Sequence, residues 1–111
     1  MHHHLCQAIN EHELIFLRYN DGRLRIIEPH AYWSSPTGKP LLRAFQRSGF
    51  SVSQQPRGWK TFRVDQILSA QPAGQTFRAP RAGYDPFSSS IGRIYAMIPV
   101  EPPSFLRAPA F

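Results

Sequence analysis

The chain has 111 residues, 13 Lys+Arg against 7 Asp+Glu, a formal charge of +6, and 14 aromatic side chains. That length fits one domain, and a hydrophobic fraction of 41% is too rich for a wholly disordered chain. No window approaches the run of about 18 apolar residues that a membrane span requires, and one cysteine, Cys6, forbids an internal disulfide and a cysteine-built zinc site.

The charge is unevenly placed. Residues 1–38 balance to −1, residues 82–111 balance to 0, and residues 39–81 carry eight basic side chains against Asp65 alone. An excess of this kind points to an anionic partner, of which nucleic acid is the commonest. The N-terminus MHHHLCQAIN has no apolar signal core, so a cytoplasmic location without membrane contact is expected.

In chain order, Leu5, Ala8 and Ile9 follow helical spacing and predict a short helix over 5–12. Leu14 to Tyr19 is a compact strand-like run that stops at Asn20-Asp21-Gly22. Asp-Gly between two strand-like runs signals a tight hairpin, because glycine tolerates the positive φ such turns require. The return strand, Arg23 to Ile27, alternates, which assigns Leu24 and Ile26 to the core and Arg23 and Arg25 to the opposite face. Pro29 is expected to break this ladder or mark a sheet edge.

Ser34 to Pro40 reads as a turn. A third strand, 41–47, places Leu42 and Ala44 on one side and Leu41, Arg43, Phe45 and Arg47 on the other. Residues 48–58 are polar and broken by Gly and Pro, hence a loop. A fourth strand, 59–67, puts Phe62 and Val64 inward and Trp59, Thr61, Arg63 and Asp65 outward, and 67–70 bends into a short fifth strand. From Pro72 onward seven prolines accumulate, and Ile91–Val100 is the one apolar stretch there, an edge strand or a docking segment.

Short antiparallel strands with tight turns favour a small closed barrel over an open sheet with exposed edges. The expected fold is mainly β: a five-stranded barrel over 5–71 with a short N-terminal helix, then a Pro-rich extended tail over 72–111.

The face left outside the core carries Arg25, Arg43, Phe45, Arg47, Trp59 and Arg63. Arginine among aromatics is the chemistry of single-strand binding: guanidiniums take phosphates and rings stack on bases at about 1–3 kcal/mol each. Arginine outnumbers lysine 11 to 2, and it is the better bidentate and stacking residue. The plainer alternative is a solvated sheet face on which arginine stems cover apolar surface. His12 and His30, with Glu28 or Asp65, are the candidate acid–base groups, but their spacing fixes no constellation. The chain has no Gly-rich phosphate loop, no paired-carboxylate signature and no nucleophile elbow. His2, His3 and His4 at a chain end make a poor metal site, and no metal or cofactor is expected.

The order of these features resembles the WYL domain family over about residues 5–71. The resemblance rests on the helix with Ala8-Ile9, a strand ending in Tyr19, Arg25-Ile26-Ile27-Glu28-Pro29, Leu42-Arg43-Ala44-Phe45, and Gly58-Trp59-Lys60-Thr61-Phe62-Arg63-Val64-Asp65. Where that family has Trp-Tyr-Leu this chain has Pro40-Leu41-Leu42, and Gln66 stands where an arginine is common. The resemblance implies an SH3-like or Sm-like barrel, of the kind fused to DNA-binding domains in bacterial transcription regulators or serving phage-defence systems. It also implies a ligand-sensing role on a basic-aromatic surface. The expected function is therefore a non-enzymatic module for single-stranded nucleic acid or a nucleotide, acting with a protein partner or by self-association. Two rivals remain: an adaptor for a protein partner, and a small basic ribonuclease using His30, Lys60 and an arginine.

Overall fold

The computed structural model describes residues 1–51, 54–86 and 90–100. Helix α1 spans His2–Glu11 and buries Leu5, Ala8 and Ile9, the three residues whose spacing predicts it. It ends at His12, whose left-handed backbone (φ 55°) lets its N–H cap the carbonyls of Ala8 and Ile9. The strands are β1 Glu13–Arg18, β2 Leu24–Ser34, β3 Pro40–Gly49, β4 Gly58–Arg63, β5 Ser69–Thr76 and β6 Arg93–Met97. A 3₁₀ turn, Val64–Gln66, ends the fourth predicted strand early.

All pairings are antiparallel, in the order β4-β3-β2-β1-β5. Strand β6 pairs with β2 on the edge that β1 vacates, because β1 covers Leu24–Ile27 and β6 covers Ala31–Ser34. The fold is thus mainly β, a six-stranded sheet with one N-terminal helix. It differs from the expected five-stranded closed barrel, since among the described residues no ladder joins β4 to β5. Helix α1 packs across β1, β2, β5 and β6, and its buried side chains join Leu14, Leu17, Ile27, Leu42, Ala44 and Phe62 in one core.

The Asp21-Gly22 hairpin forms as predicted. Gly22 has φ 76° and donates to the Tyr19 carbonyl at 2.8 Å, while the Asp21 carboxylate accepts the Arg23 N–H at 2.9 Å. The strand beyond it departs from expectation in three ways. It runs on through Pro29 to Ser34. Its faces are reversed: Leu24 is 45% exposed, whereas Arg25 is buried at 4%. It also carries two irregularities against β3, between Ile26 and Ile27 and between Pro29 and Ala31.

The register names the residues left over. Ile26 and Ile27 oppose Ser48 and Gln46, so Arg47 is the extra residue of β3; Pro29 and Ala31 oppose Ala44 and Arg43, so His30 is the extra residue of β2. Each bulge shifts the alternation of its own strand beyond it by one. The reversal at Leu24–Ile27 precedes His30 and pairs with β1 without a break, so it is a matter of phase, set by Ile27 facing the core. Pro29 sits where this disruption, and the gap between β1 and β6, leave its missing N–H tolerable.

Of the predicted tail over 72–111, residues 87–89 and 101–111 lie outside the described residues, and the described part is not uniformly extended. Strand β5 continues through residue 76, so the 71/72 division falls inside it. Phe77, Ala96 and Ile98 are buried in the core, with Tyr84 and Tyr95 packed against it. The apolar stretch at 91–100 supplies β6, one of the two roles expected of it.

Candidate functional site

Cross-strand neighbours Glu28, Phe45 and Trp59 form one row across β2, β3 and β4. Two residues along β3 in either direction, Arg43 and Arg47 share the Phe45 face, as the alternation predicts. The segment from Phe77 to Tyr84 crosses this row, and the chemistry of the site comes from what it brings.

Glu28 is fully buried, and both of its carboxylate oxygens are taken by arginine. Oε1 accepts Arg81 Nε at 2.7 Å, and Oε2 accepts Arg81 Nη2 at 2.7 Å and Arg47 Nε at 2.8 Å. Burial alone raises the pKa of this carboxyl; the hydrogen bonds from Arg81 and Arg47 outweigh it and hold the pKa below the usual carboxylate range. The arginines remain partly open, with side chains 36% exposed for Arg47 and 28% for Arg81. The bulge at Arg47 aims it at Glu28, as bulges beside functional sites commonly do.

His30, the second bulged residue, is also fully buried. Its Nδ1 donates to its neighbour's carbonyl, Glu28 O, at 2.9 Å, and its Nε2 accepts the Arg81 backbone N–H at 3.1 Å. Those partners fix a neutral imidazole with the proton on Nδ1. Burial pushes its pKa down, against the opposing pull of the Glu28 carbonyl. Around the ring stand Trp59, Tyr84 and Phe77, with centroids 4.8, 4.9 and 5.2 Å away. The Tyr84 hydroxyl donates to Ile98 O at 2.8 Å, and burial pushes its pKa up to about 12.

The aromatic rings carry guanidiniums. Arg81 lies 4.0 Å and Arg57 5.3 Å from the Phe45 centroid, and Arg43 lies 5.4 Å from that of Trp59. Trp59 is also stacked on Tyr84 at 5.8 Å, and its Nε1 donates to Ala82 O at 3.1 Å. Gly83 (φ 87°) permits that contact, since a Cβ there would stand 2.9 Å from the Trp59 ring nitrogen. Arg43 donates to Thr61 Oγ1 at 3.0 Å. Four arginines (Arg43, Arg47, Arg57 and Arg81) therefore gather about this face, where, among the described residues, Glu28 acts on Arg47 and Arg81 and Asp85 on Arg43, and Arg78 lies beside it in a hollow shared with Arg47 and Arg81.

Of the six residues predicted from the sequence, Arg43, Phe45, Arg47 and Trp59 meet here. Arg25 does not. It lies on the hairpin side, gripping Asp21 at 2.9 Å beside the rings of Tyr19, Phe50 and Phe62. Arg63 keeps the side of Thr61 that alternation predicts but stands at the end of β4, half exposed and paired with Asp65 at 3.2 Å. Sequence reasoning assigns Arg57, Arg78 and Arg81 to solvated loop and tail, and it leaves Tyr84 out of the site. The available signal is the composition of Phe77-Arg78-Ala79-Pro80-Arg81-Ala82-Gly83-Tyr84, which mixes aromatics with arginines as the strands do.

No family model, curated protein or solved structure matches the chain.

Proposed function

We propose that the chain is a non-enzymatic binding module of the WYL type, its open six-stranded sheet a relative of the SH3-like barrel, that takes single-stranded nucleic acid or a nucleotide on the face of Arg43, Phe45, Arg47 and Trp59. The observation that carries this reading is three guanidiniums, Arg43, Arg57 and Arg81, on two aromatic rings, with Arg47 held beside them by Glu28. Because Tyr84 and the guanidiniums already lie on Trp59 and Phe45, phosphate contacts carry the binding and base stacking is secondary. Arg25 and Arg63 are structural in this reading.

The ribonuclease alternative is the weaker one. Both ring nitrogens of His30 are engaged, and Lys60, which alternates away from Trp59 on β4, donates to Gln55 O at 2.8 Å. The test is a salt titration of labelled single-stranded DNA and RNA. Affinity falls steeply with ionic strength, and Arg43→Ala with Arg57→Ala lowers the log–log slope by roughly 0.7 for each phosphate that is no longer neutralised. Failure of both polymers to bind at low salt, or an unchanged slope in the double variant, refutes the proposal.

A further inference from the structure

Arg47, Arg78 and Arg81 line one open hollow with Ala79, Pro80 and Ala82. The three guanidiniums are in different states. Arg81 gives Nε and Nη2 to Glu28, and Arg47 gives Nε to the same carboxylate, so both are oriented while other N–H groups of each stay uncommitted. Arg78 is exposed and, among the described residues, has no hydrogen bond, ion pair or ring contact. Two arginines are thus held in place beside a third with nothing to hold.

The charge of the hollow selects its ligand. Three guanidiniums against the single Glu28 carboxylate leave an excess of two positive charges. A phosphate monoester carries about −1.5 to −2 at pH 7, whereas a diester linkage within a strand carries one negative charge. Arginine forks match phosphate oxygens in geometry as well as charge, and the anchoring by Glu28 reduces the conformational entropy that binding costs. The remaining lining, two alanines and a proline, offers no side-chain hydrogen-bonding group and no aromatic ring for a base. The hollow therefore reads phosphate and not sequence.

We infer that this hollow binds the terminal phosphate monoester of a nucleotide or of a phosphorylated strand end. The inference rests on the nucleic-acid reading above and adds a subsite to it. A strand enters by its phosphorylated end at Arg47, Arg78 and Arg81, and its backbone continues over Arg43 and Arg57.

The experiment compares a 5′-phosphorylated oligothymidylate, its 5′-hydroxyl counterpart and a 3′-phosphorylated version, with wild type and Arg78→Gln, by fluorescence polarisation. Thymidine monophosphate and inorganic phosphate serve as competitors, to separate nucleotide from bare anion. The Arg78 side chain supports no other part of the described fold, so the variant folds. Wild type should prefer a phosphorylated end by about tenfold or more, the effect of one charge-assisted contact. Arg78→Gln should reduce that preference severalfold, Arg47 and Arg81 remaining, and leave the hydroxyl oligonucleotide within about threefold. Equal binding of all three oligonucleotides overturns the terminal-phosphate site and leaves the nucleic-acid face standing; no binding of any overturns both. A preference undiminished in Arg78→Gln places the phosphate elsewhere and overturns the hollow. A phosphoserine peptide binding as tightly as the phosphorylated strand overturns the assignment to nucleic acid.

Discussion

Glu28→Gln tests the site at its centre, because one carboxylate holds two elements together: Arg47 of β3 and Arg81 of the segment that crosses it. The substitution keeps the size of the side chain and removes the charge. Removing one partner of a buried ion pair costs about 3–5 kcal/mol when the other charge is left dry. Here Arg47 and Arg81 are about a third exposed, so they regain water, and the cost falls to roughly 2–3 kcal/mol. With a urea m-value of about 1–3 kcal/mol/M, that is a midpoint shift on the order of 1–2 M.

The pH dependence gives a second handle on the same variant. The carboxyl of Glu28 is held below its usual pKa range by Arg81 and Arg47, against the upward push of burial. Its contribution to stability is therefore complete above the ordinary glutamate value and is lost as pH falls through the lower folded value. The gap between wild type and Glu28→Gln should be full at neutral pH and close in acid, where wild-type Glu28 becomes neutral too. A midpoint shift under about 0.3 M, which is less than 1 kcal/mol, or a gap that widens in acid, refutes the argument.

Other expectations follow from the same contacts. His30 is buried neutral with its pKa pushed down, so wild-type stability should fall as pH drops below about 6.5, by at most about 1.4 kcal/mol per unit. His30→Phe should lose that slope in paired urea titrations, and an identical slope in the variant would count against the neutral tautomer. Arg25→Ala removes a guanidinium from between Asp21 and three rings and should cost about 2–3 kcal/mol. Oligonucleotide affinity per folded molecule should stay within about twofold, and a larger drop would return Arg25 to the binding face. Gly49 has φ 110°, and a Cβ there would meet Leu24 O at 2.5 Å and the Arg25 Cα at 2.7 Å. Gly49→Ala should therefore cost more than about 2 kcal/mol by thermal or urea unfolding, and a neutral effect would contradict the close approach of β2 and β3.

What is legible in the sequence is whatever depends on near neighbours. The face of α1, the Asp21-Gly22 turn, the alternation of β3 and the inward Phe62 all follow from spacing within a few residues. Reading the faces of β2 fails because Leu24, Ile26 and Ile27 are all apolar, so a period of two fits either phase over so short a stretch. The structure takes the phase with Ile27 inward, which puts Arg25 inside and Leu24 outside. The site divides in the same manner. Arg43, Phe45 and Trp59 can be found because paired strands present them together, and Arg47 because it falls two residues beyond Phe45. Arg57, Arg78 and Arg81 escape because they sit in irregular segments, whose placement depends on partners up to 53 residues away, as Arg81 depends on Glu28.

The basic block at 39–81 is more than a sum of charges, because its members are held differently. Lys39 is exposed in a turn and Arg63 faces Asp65; these add a diffuse field that salt screens. Arg43 and Arg57 lie over Trp59 and Phe45, where the rings orient them without removing charge. Glu28 gives Arg47 and Arg81 a common anchor, and one carboxylate cannot neutralise two guanidiniums. Order and net positive charge thus coexist at the hollow that also holds Arg78. The same acid that lowers the local charge by one supplies the preorganisation that makes the remainder usable for binding. Adding positive charge at an exposed turn should raise nonspecific, salt-sensitive association. Removing the Glu28 carboxylate raises the local charge as well, but it releases the arginines, so its effect on phosphate discrimination should run opposite to its effect on charge.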